Sequence, residues 1–417
     1  MTILIQKAHI SDPLSPHHDK IMDIFIRDGV IEQIDPQIDL SSDKTIALEG
    51  LHVSPGWVDI FADAGDPGFE HRETLETASM AAAAGGYTHL FVLPNTKPVV
   101  HDKSLVEYVH DKKISSPVTL HPIGAVTRHT EGKELAEIYD MRHSGAVAFS
   151  DGIHPIQQAG MMIKALQYVK AFDGVIIQVP DDRSIAPHGL MHEGILSTRL
   201  GLQGRPALAE ELIIARDIKL TRYAASRLHI TGVTLPKSME YIRRAKQGGI
   251  DVTCSVTPHH LYFCDEDLMD YDSILKVDPP FRTRTDMESM LQAVLDGSVD
   301  VIASHHLPLH QDRKTCEFEY ASPGTIGLET TFGVLGILGV PVDAFLKLAS
   351  SNPRRIFGLP PATIQVGNMA DMTVFQPEIT YVFEAKNIRS RSKNSPFIGK
   401  TLKGKVIGVV NGNKSTI

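Results

Sequence analysis

Short apolar runs and amphipathic stretches take turns through the middle of this 417-residue chain. The runs are His52–Phe61, Tyr87–Leu93, Val118–Val126, Ala146–Phe149, Gly174–Val179, Leu228–Val233, Asp251–Val256 and Val299–Ala303. Parallel strands are buried on both faces and need a long crossover between them, so this alternation predicts a parallel sheet covered by helices. About eight such runs match a closed (β/α)₈ TIM barrel, from about residue 51 to 360. Ser238–Gly248, with Met239, Ile242 and Ala245 at helical spacing before a Gly-Gly stop, reads as one covering helix. Periodicity alone leaves an open doubly wound sheet as the alternative.

The two ends have a different texture. Ile3-Leu4-Ile5 and Ile24–Ile31 alternate apolar and polar residues around Asp28-Gly29, a dipeptide suited to a hairpin turn. Met372–Phe375, Tyr381–Phe383 and Lys405–Val410 repeat the pattern before Asn411-Gly412. Residues 1–50 and 361–417 are therefore expected to pair into one small β-sandwich domain, giving an α/β chain of two parts.

Composition narrows the partners. A net charge of −9 argues against nucleic acid or an anionic membrane as the main partner, and no polybasic arm is present. Cys254, Cys264 and Cys316 are scattered and odd in number, which fits buried thiols in a reducing compartment better than a disulfide framework or a thiolate zinc site. The first residues lack the long apolar run of a signal peptide, and no stretch approaches the roughly 20 apolar residues that cross a bilayer. A soluble, cytoplasmic protein is the expectation.

Residues 54–68, Ser-Pro-Gly-Trp-Val-Asp-Ile-Phe-Ala-Asp-Ala-Gly-Asp-Pro-Gly, resemble the opening signature of the dihydroorotase branch of the amidohydrolase superfamily. Ordered blocks extend the resemblance over most of the chain: Pro94-Asn95-Thr96, Phe149-Ser150-Asp151-Gly152, Pro206–Glu210, Thr257-Pro258-His259-His260, Lys276–Arg282, Ser322–Glu329 and Gly367–Asp371. The resemblance implies a TIM-barrel hydrolase of pyrimidine biosynthesis. In that family a pair of divalent metals, commonly zinc, polarises a cyclic amide and lowers the pKa of bound water. Four histidines, a bridging carboxylate or carbamylated lysine, and a proton-handling aspartate are the usual set.

This chain departs from that set in five places. The first His-x-His pair falls on Phe61 and Asp63. Gln178 stands where a later histidine follows the fifth strand, and Gly232 stands where another follows the next. The final Asp-His-Ala-Pro-His block becomes His305-His306-Leu307-Pro308-Leu309-His310, so the aspartate is replaced by His305. Gly65 stands where the family holds the substrate carboxylate with arginine. Phenylalanine and glycine donate no lone pair, and a neutral amide is a poor zinc ligand.

No catalytic residue is therefore assigned: Phe61, Asp63, Gln178, Gly232 and His305 are read as vestigial positions, and no metal is expected. The alternative keeps an active cyclic-amide hydrolase, opening dihydroorotate to N-carbamoyl-aspartate, with zinc on Asp63, Asp151, His305 and His306. Asn95, Asp278, His306 and His310 are the substrate-pocket candidates, although Asn95 serves equally well to hold the turn after Pro94. His259-His260 are read as structural and His17-His18 as exposed. Neither a phosphate-cradling glycine loop nor a Gly-x-Ser-x-Gly elbow is present. The resemblance to inactive dihydroorotase homologues implies a structural partner of aspartate transcarbamoylase that also self-associates. A small-molecule sensor using the empty pocket is the third reading.

Overall fold

The computed structural model describes residues 1–417. Its central sheet has eight parallel strands: Trp57–Ala62, Tyr87–Val92, Thr119–Gly124, Ala148–Phe149, Val175–Gln178, Arg227–Ile230, Val252–Val256 and Val301–Ile302. Each pairs with the next in chain order, and a bridge between Ala62 and His306 closes the last onto the first. The closure is held by Asp59, whose carboxylate accepts from the Ser304 N–H (2.7 Å) and Oγ (3.0 Å), and by the Asp63 N–H donating to the His306 carbonyl (2.8 Å). Alternate side chains face opposite ways, as strand geometry requires. Phe91, Leu93, Val175 and Ile177 fill the barrel, while Leu90, Val92 and Ile176 pack under the helices. The alternation of runs and helices thus closes into the barrel, and the expected helix spans Pro236–Gln247 with Met239, Ile242 and Ala245 buried. No helix is long and apolar enough to cross a membrane.

One expected strand is divided. His52–Phe61 is two strands: His52–Pro55 pairs antiparallel with Met372–Phe375 in a second sheet, and only Trp57–Ala62 enters the barrel. The break is at Gly56, where a Cβ would lie 2.1 Å from both Asp371 Oδ1 and Thr88 Oγ1. Only glycine lets the chain pass this close between the two sheets.

The second sheet also has eight strands, drawn from residues 2–55 and 371–415. Its first strand, Thr2–Ile10, bulges between Ile5 and Ala8, so its first half pairs with Lys44–Ile46 and its second with His52–Pro55. The hairpin at Asp28-Gly29 forms as the sequence predicts, with φ of 50° and 81°.

Asp371 ties the two sheets together. Its Oδ1 accepts from Thr88 Oγ1 (2.6 Å), and its Oδ2 accepts from Arg354 Nη2 (2.7 Å) and His89 Nε2 (3.0 Å). Burial alone would raise this carboxyl's pKa, but His89, Arg354 and Thr88 outweigh it and hold the group well below the usual carboxylate range. A carboxyl depressed in the folded state contributes stability that is complete above its unfolded pKa, near 4, and is lost as pH falls toward its folded value. Asp371→Ala should cost about 3–5 kcal/mol by leaving Arg354 unpaired. Urea titrations at pH 7 and pH 3 should find a smaller gap between variant and parent at the lower pH.

Candidate functional site

The carboxyl ends of the barrel strands gather the altered positions into one mouth. Phe61 ends the first strand and is buried, its ring stacked on the His305 imidazole with centroids 4.3 Å apart and planes at 27°. Two residues on, Asp63 is also buried: Oδ1 accepts from the Gly65 N–H (2.8 Å), and Oδ2 lies 3.4 Å from Arg72 Nη2. Burial raises the Asp63 pKa, with Arg72 opposing. Gly65 has φ of 64°, and a Cβ there would meet the Glu73 and Phe69 carbonyl oxygens at 2.9 Å. The loop thus has no room for the arginine that the resemblance expects at this position.

His305 is the centre of the arrangement. Ser255 Oγ donates to Thr231 Oγ1 (2.8 Å), and the Thr231 hydroxyl in turn lies in hydrogen-bond contact with His305 Nε2 (2.8 Å). Burial, reinforced by His260 and His229, lowers the His305 pKa to about 3, so the imidazole is neutral with its Nε2 engaged by Thr231. Its backbone φ of 44° is unusual for a residue other than glycine, a strain the packing around it sustains. Gly232, at φ 73°, lies directly against it, and a Cβ there would be 2.7 Å from His305 Cε1. Gln178 is buried and forms a closed pair with one backbone residue, donating to the Ile156 carbonyl and accepting its N–H, both at 3.2 Å. Its amide acts as a brace.

A cavity of about 320 Å³ opens above the Phe61–His305 stack, bounded by His154, Arg183, Arg205 and Asp278. Asp278 pairs with Arg205 Nη1 (2.5 Å) and lies 3.8 Å from Arg183 Nη2, while Asp181 lies 3.5 Å from Arg205. Of the four pocket candidates, Asp278 alone lines this space. Asn95 is held below it, donating to the Asp151 carbonyl (3.1 Å) and accepting from the Ile153 N–H (3.1 Å). The Asp151 carboxylate takes the Thr127 N–H (2.8 Å) and Oγ1 (2.5 Å), and burial pushes it up to about 6 against those bonds. His306 is fully buried, with Nε2 3.4 Å from Glu73 Oε2 and Nδ1 accepting from the Gly327 N–H (3.3 Å). His310 lies in a separate, outer cavity. His259 and His260 are buried, and His260 Nε2 donates to the Pro279 carbonyl (2.8 Å) while its Nδ1 faces Thr257 Oγ1 (2.6 Å).

Glu73, Thr231, Arg183 and Arg205 are site residues that sequence reasoning passed over. Thr231 and Arg205 adjoin motif positions, Gly232 and Pro206, so their neighbourhood was visible. Glu73 carried no signal, because its partners Ser390 and Arg391 lie more than three hundred positions away. Burial pushes its carboxyl up, but His306, Ser390 and Thr77 outweigh that and hold it below its ordinary range.

A pair of divalent metals needs several free imidazole and carboxylate donors converging on one point. Phe61 and Gly232 offer none, the Gln178 amide is bonded at both ends, and His305 Nε2 is engaged by the Thr231 hydroxyl. The oxygens of Asp63 face the Gly65 N–H and Arg72, and those of Asp151 face the N–H and hydroxyl of Thr127 on the preceding loop. No three His, Cys, Asp or Glu side chains are grouped so that they could hold one metal ion. The donor set does not fit the binuclear group that the resemblance implies.

A family model described as dihydro-orotase-like matches residues 50–237. The chain is 39% identical to a dihydroorotase of Acetivibrio thermocellus, over 99% of this chain and 98% of that one. It is 38% identical to a dihydroorotase of Pelotomaculum thermopropionicum, over 97% and 96% of the two chains. The chain belongs to the dihydroorotase family. Among solved structures, an L-hydantoinase (dihydropyrimidinase) from Arthrobacter aurescens superposes with a TM-score of 0.85 at 24% identity, over 98% of this chain and 95% of that one. A dihydropyrimidinase from Brevibacillus agri gives 0.83 at 18% identity, over 100% and 95%. Both share the barrel with its attached sheet.

The contact between Gly232 and His305 is testable within this family frame. Gly232→Ala adds a methyl against a buried ring at positive φ, so chemical denaturation should find it less stable by about 1–3 kcal/mol. A parent-like midpoint would mean that His305 can leave the Phe61 stack without cost.

Proposed function

We propose that this dihydroorotase-family protein does not perform the family's metal-dependent hydrolysis and acts as a non-catalytic structural partner in pyrimidine biosynthesis. The observation that carries the reading is the Phe61–His305–Thr231 arrangement, with Gly232 against it. Positions from three strand ends that the resemblance assigns to metal and proton chemistry are engaged in packing and internal hydrogen bonds. Gln178 and Asp63 add to it, each bonded to its own surroundings. Aspartate transcarbamoylase is the partner the resemblance implies, in an assembly that contains more than one copy of this chain.

The experiment joins metal analysis of protein purified without chelator, a dihydroorotate ring-opening assay in both directions, and co-elution with aspartate transcarbamoylase. The expected outcome is substoichiometric zinc, no turnover above the uncatalysed rate, and a complex that is retained on gel filtration. Stoichiometric zinc with turnover would sink the proposal. That result would instead support the competing reading, favoured by full-length relatives named dihydroorotase, in which Asp63, Asp151, His305 and His306 rearrange around zinc. Saturable binding of dihydroorotate without conversion and without a complex would support a sensor using the mouth cavity.

A second check uses the altered positions themselves. Returning Phe61 and Asp63 to histidine and Gln178 to histidine should not restore turnover in zinc-supplemented assays, because Gly232 is hemmed in by His305 and Gly65 leaves no room for an anion-binding side chain. Turnover raised well above that of the parent would show that the lost donors alone separate this chain from an active enzyme.

A further inference from the structure

Beside the barrel mouth, a cavity of about 770 Å³ lies between the loop after the first barrel strand, the loop after the eighth, and the segment 388–394. That segment's side chains alternate in burial: Ile388, Ser390, Ser392 and Asn394 are buried, while Arg389, Arg391 and Lys393 are exposed. The buried set anchors it, with Ser390 Oγ on Glu73, Ser392 Oγ on the Arg72 carbonyl (2.7 Å) and Asn394 Nδ2 on the Leu307 carbonyl (3.0 Å). Arg391 and Lys393, left outside by this anchoring, both line the cavity.

From the opposite wall comes Lys314. It is buried, and its Nζ donates to the backbone carbonyls of Lys276 (2.8 Å) and Ser273 (3.0 Å), with no carboxylate paired to it. Lys393 Nζ likewise bonds only the Ile388 (2.8 Å) and Ser390 (2.9 Å) carbonyls. Three basic side chains thus line one space, none of them in an ion pair. The single carboxylate among the lining residues, Asp272, uses Oδ1 to accept the Ile274 N–H (2.9 Å). His71 and His310 stand at the rim with ring centroids 6.4 Å apart. On a chain of net charge −9, such local excess of positive charge attracts anions. Burial, with Lys276 beside it, lowers the Lys314 pKa to about 7 with Asp272 opposing, so an anion in the cavity would favour the charged ammonium.

We propose that this cavity binds a small phosphate ester, its oxygens met by Lys314, Arg391 and Lys393. Guanidinium and ammonium donors suit phosphate oxygens, and a cavity of this volume holds a small organic molecule with room beyond one phosphate group. Tyr271, on the cavity wall and at a positive φ of 54°, offers a ring face for the organic part. The site is separate from the Phe61–His305 mouth, so its fate does not depend on whether the barrel is catalytic.

The test is isothermal titration calorimetry of the intact protein with inorganic phosphate, pyrophosphate and ATP as probes. Saturable one-site binding is expected, with ATP tighter than phosphate. The Arg391→Ala/Lys393→Ala double variant, altered only at exposed side chains, should bind at least about tenfold more weakly, the loss of two charge-assisted contacts. Arg199→Ala, an exposed cation elsewhere, should bind as the parent does. No saturable binding with any probe, or binding unchanged in the double variant, overturns the site. Equal affinity for phosphate and ATP overturns the ester while leaving an anion site.

Discussion

The joint between the first and last barrel strands governs the site as well as the fold. A sheet of eight parallel strands becomes a barrel only if its two edges meet. Here they meet through Asp59, which takes two bonds from Ser304, and through the Asp63 N–H on the His306 carbonyl. The same contact sets residues 61–63 beside residues 304–306. Phe61 and His305 then stack because closure leaves them no other place, and the chemistry of the mouth follows from that stack. Burial raises the Asp59 pKa while both Ser304 donors oppose the shift, so the joint is a satisfied polar contact in an apolar interior.

What surrounds the stack behaves as a core. A site poised for hydrolysis keeps donors free and directed at the reacting atoms. In this mouth nearly every polar group already has a partner within the chain: Gln178 with Ile156, Asp151 with Thr127, His305 with Thr231, His306 with Glu73 and Gly327. The buried imidazole of His305 is kept neutral across the physiological range. Further out, the arginines above the stack pair with Asp181 and Asp278, while Lys314, Arg391 and Lys393 line the cavity beside the segment 388–394 without an ion pair.

Much of the fold was legible because strand and helix periods are local. The parallel runs, the helix ending at Gly248-Gly249 and the hairpin at Asp28-Gly29 all depend on neighbours in sequence. The merged run at residues 52–61 was misread because Pro55-Gly56 interrupts it without breaking its apolar character. Its division depends on Asp371 and Thr88, which no local window contains. The residues at 61, 178 and 232 were also legible, one by one, as side chains that make poor metal donors. The bonds that occupy the remaining donors were not, since Glu73 reaches Ser390 and Thr231 reaches His305 across the fold.

The sequence by itself determined the family frame, the order of strands and helices, and which side chains stand at the strand ends. These are set by side-chain chemistry and by patterns a few residues long. Only the tertiary structure decided that Phe61 and His305 stack, that Gly232 and Gly65 have no space for a side chain, and that Lys314 shares a cavity with Arg391 and Lys393. Those outcomes depend on distances between segments far apart in the chain, and such distances exist only once the barrel has closed and the terminal segments have packed against it.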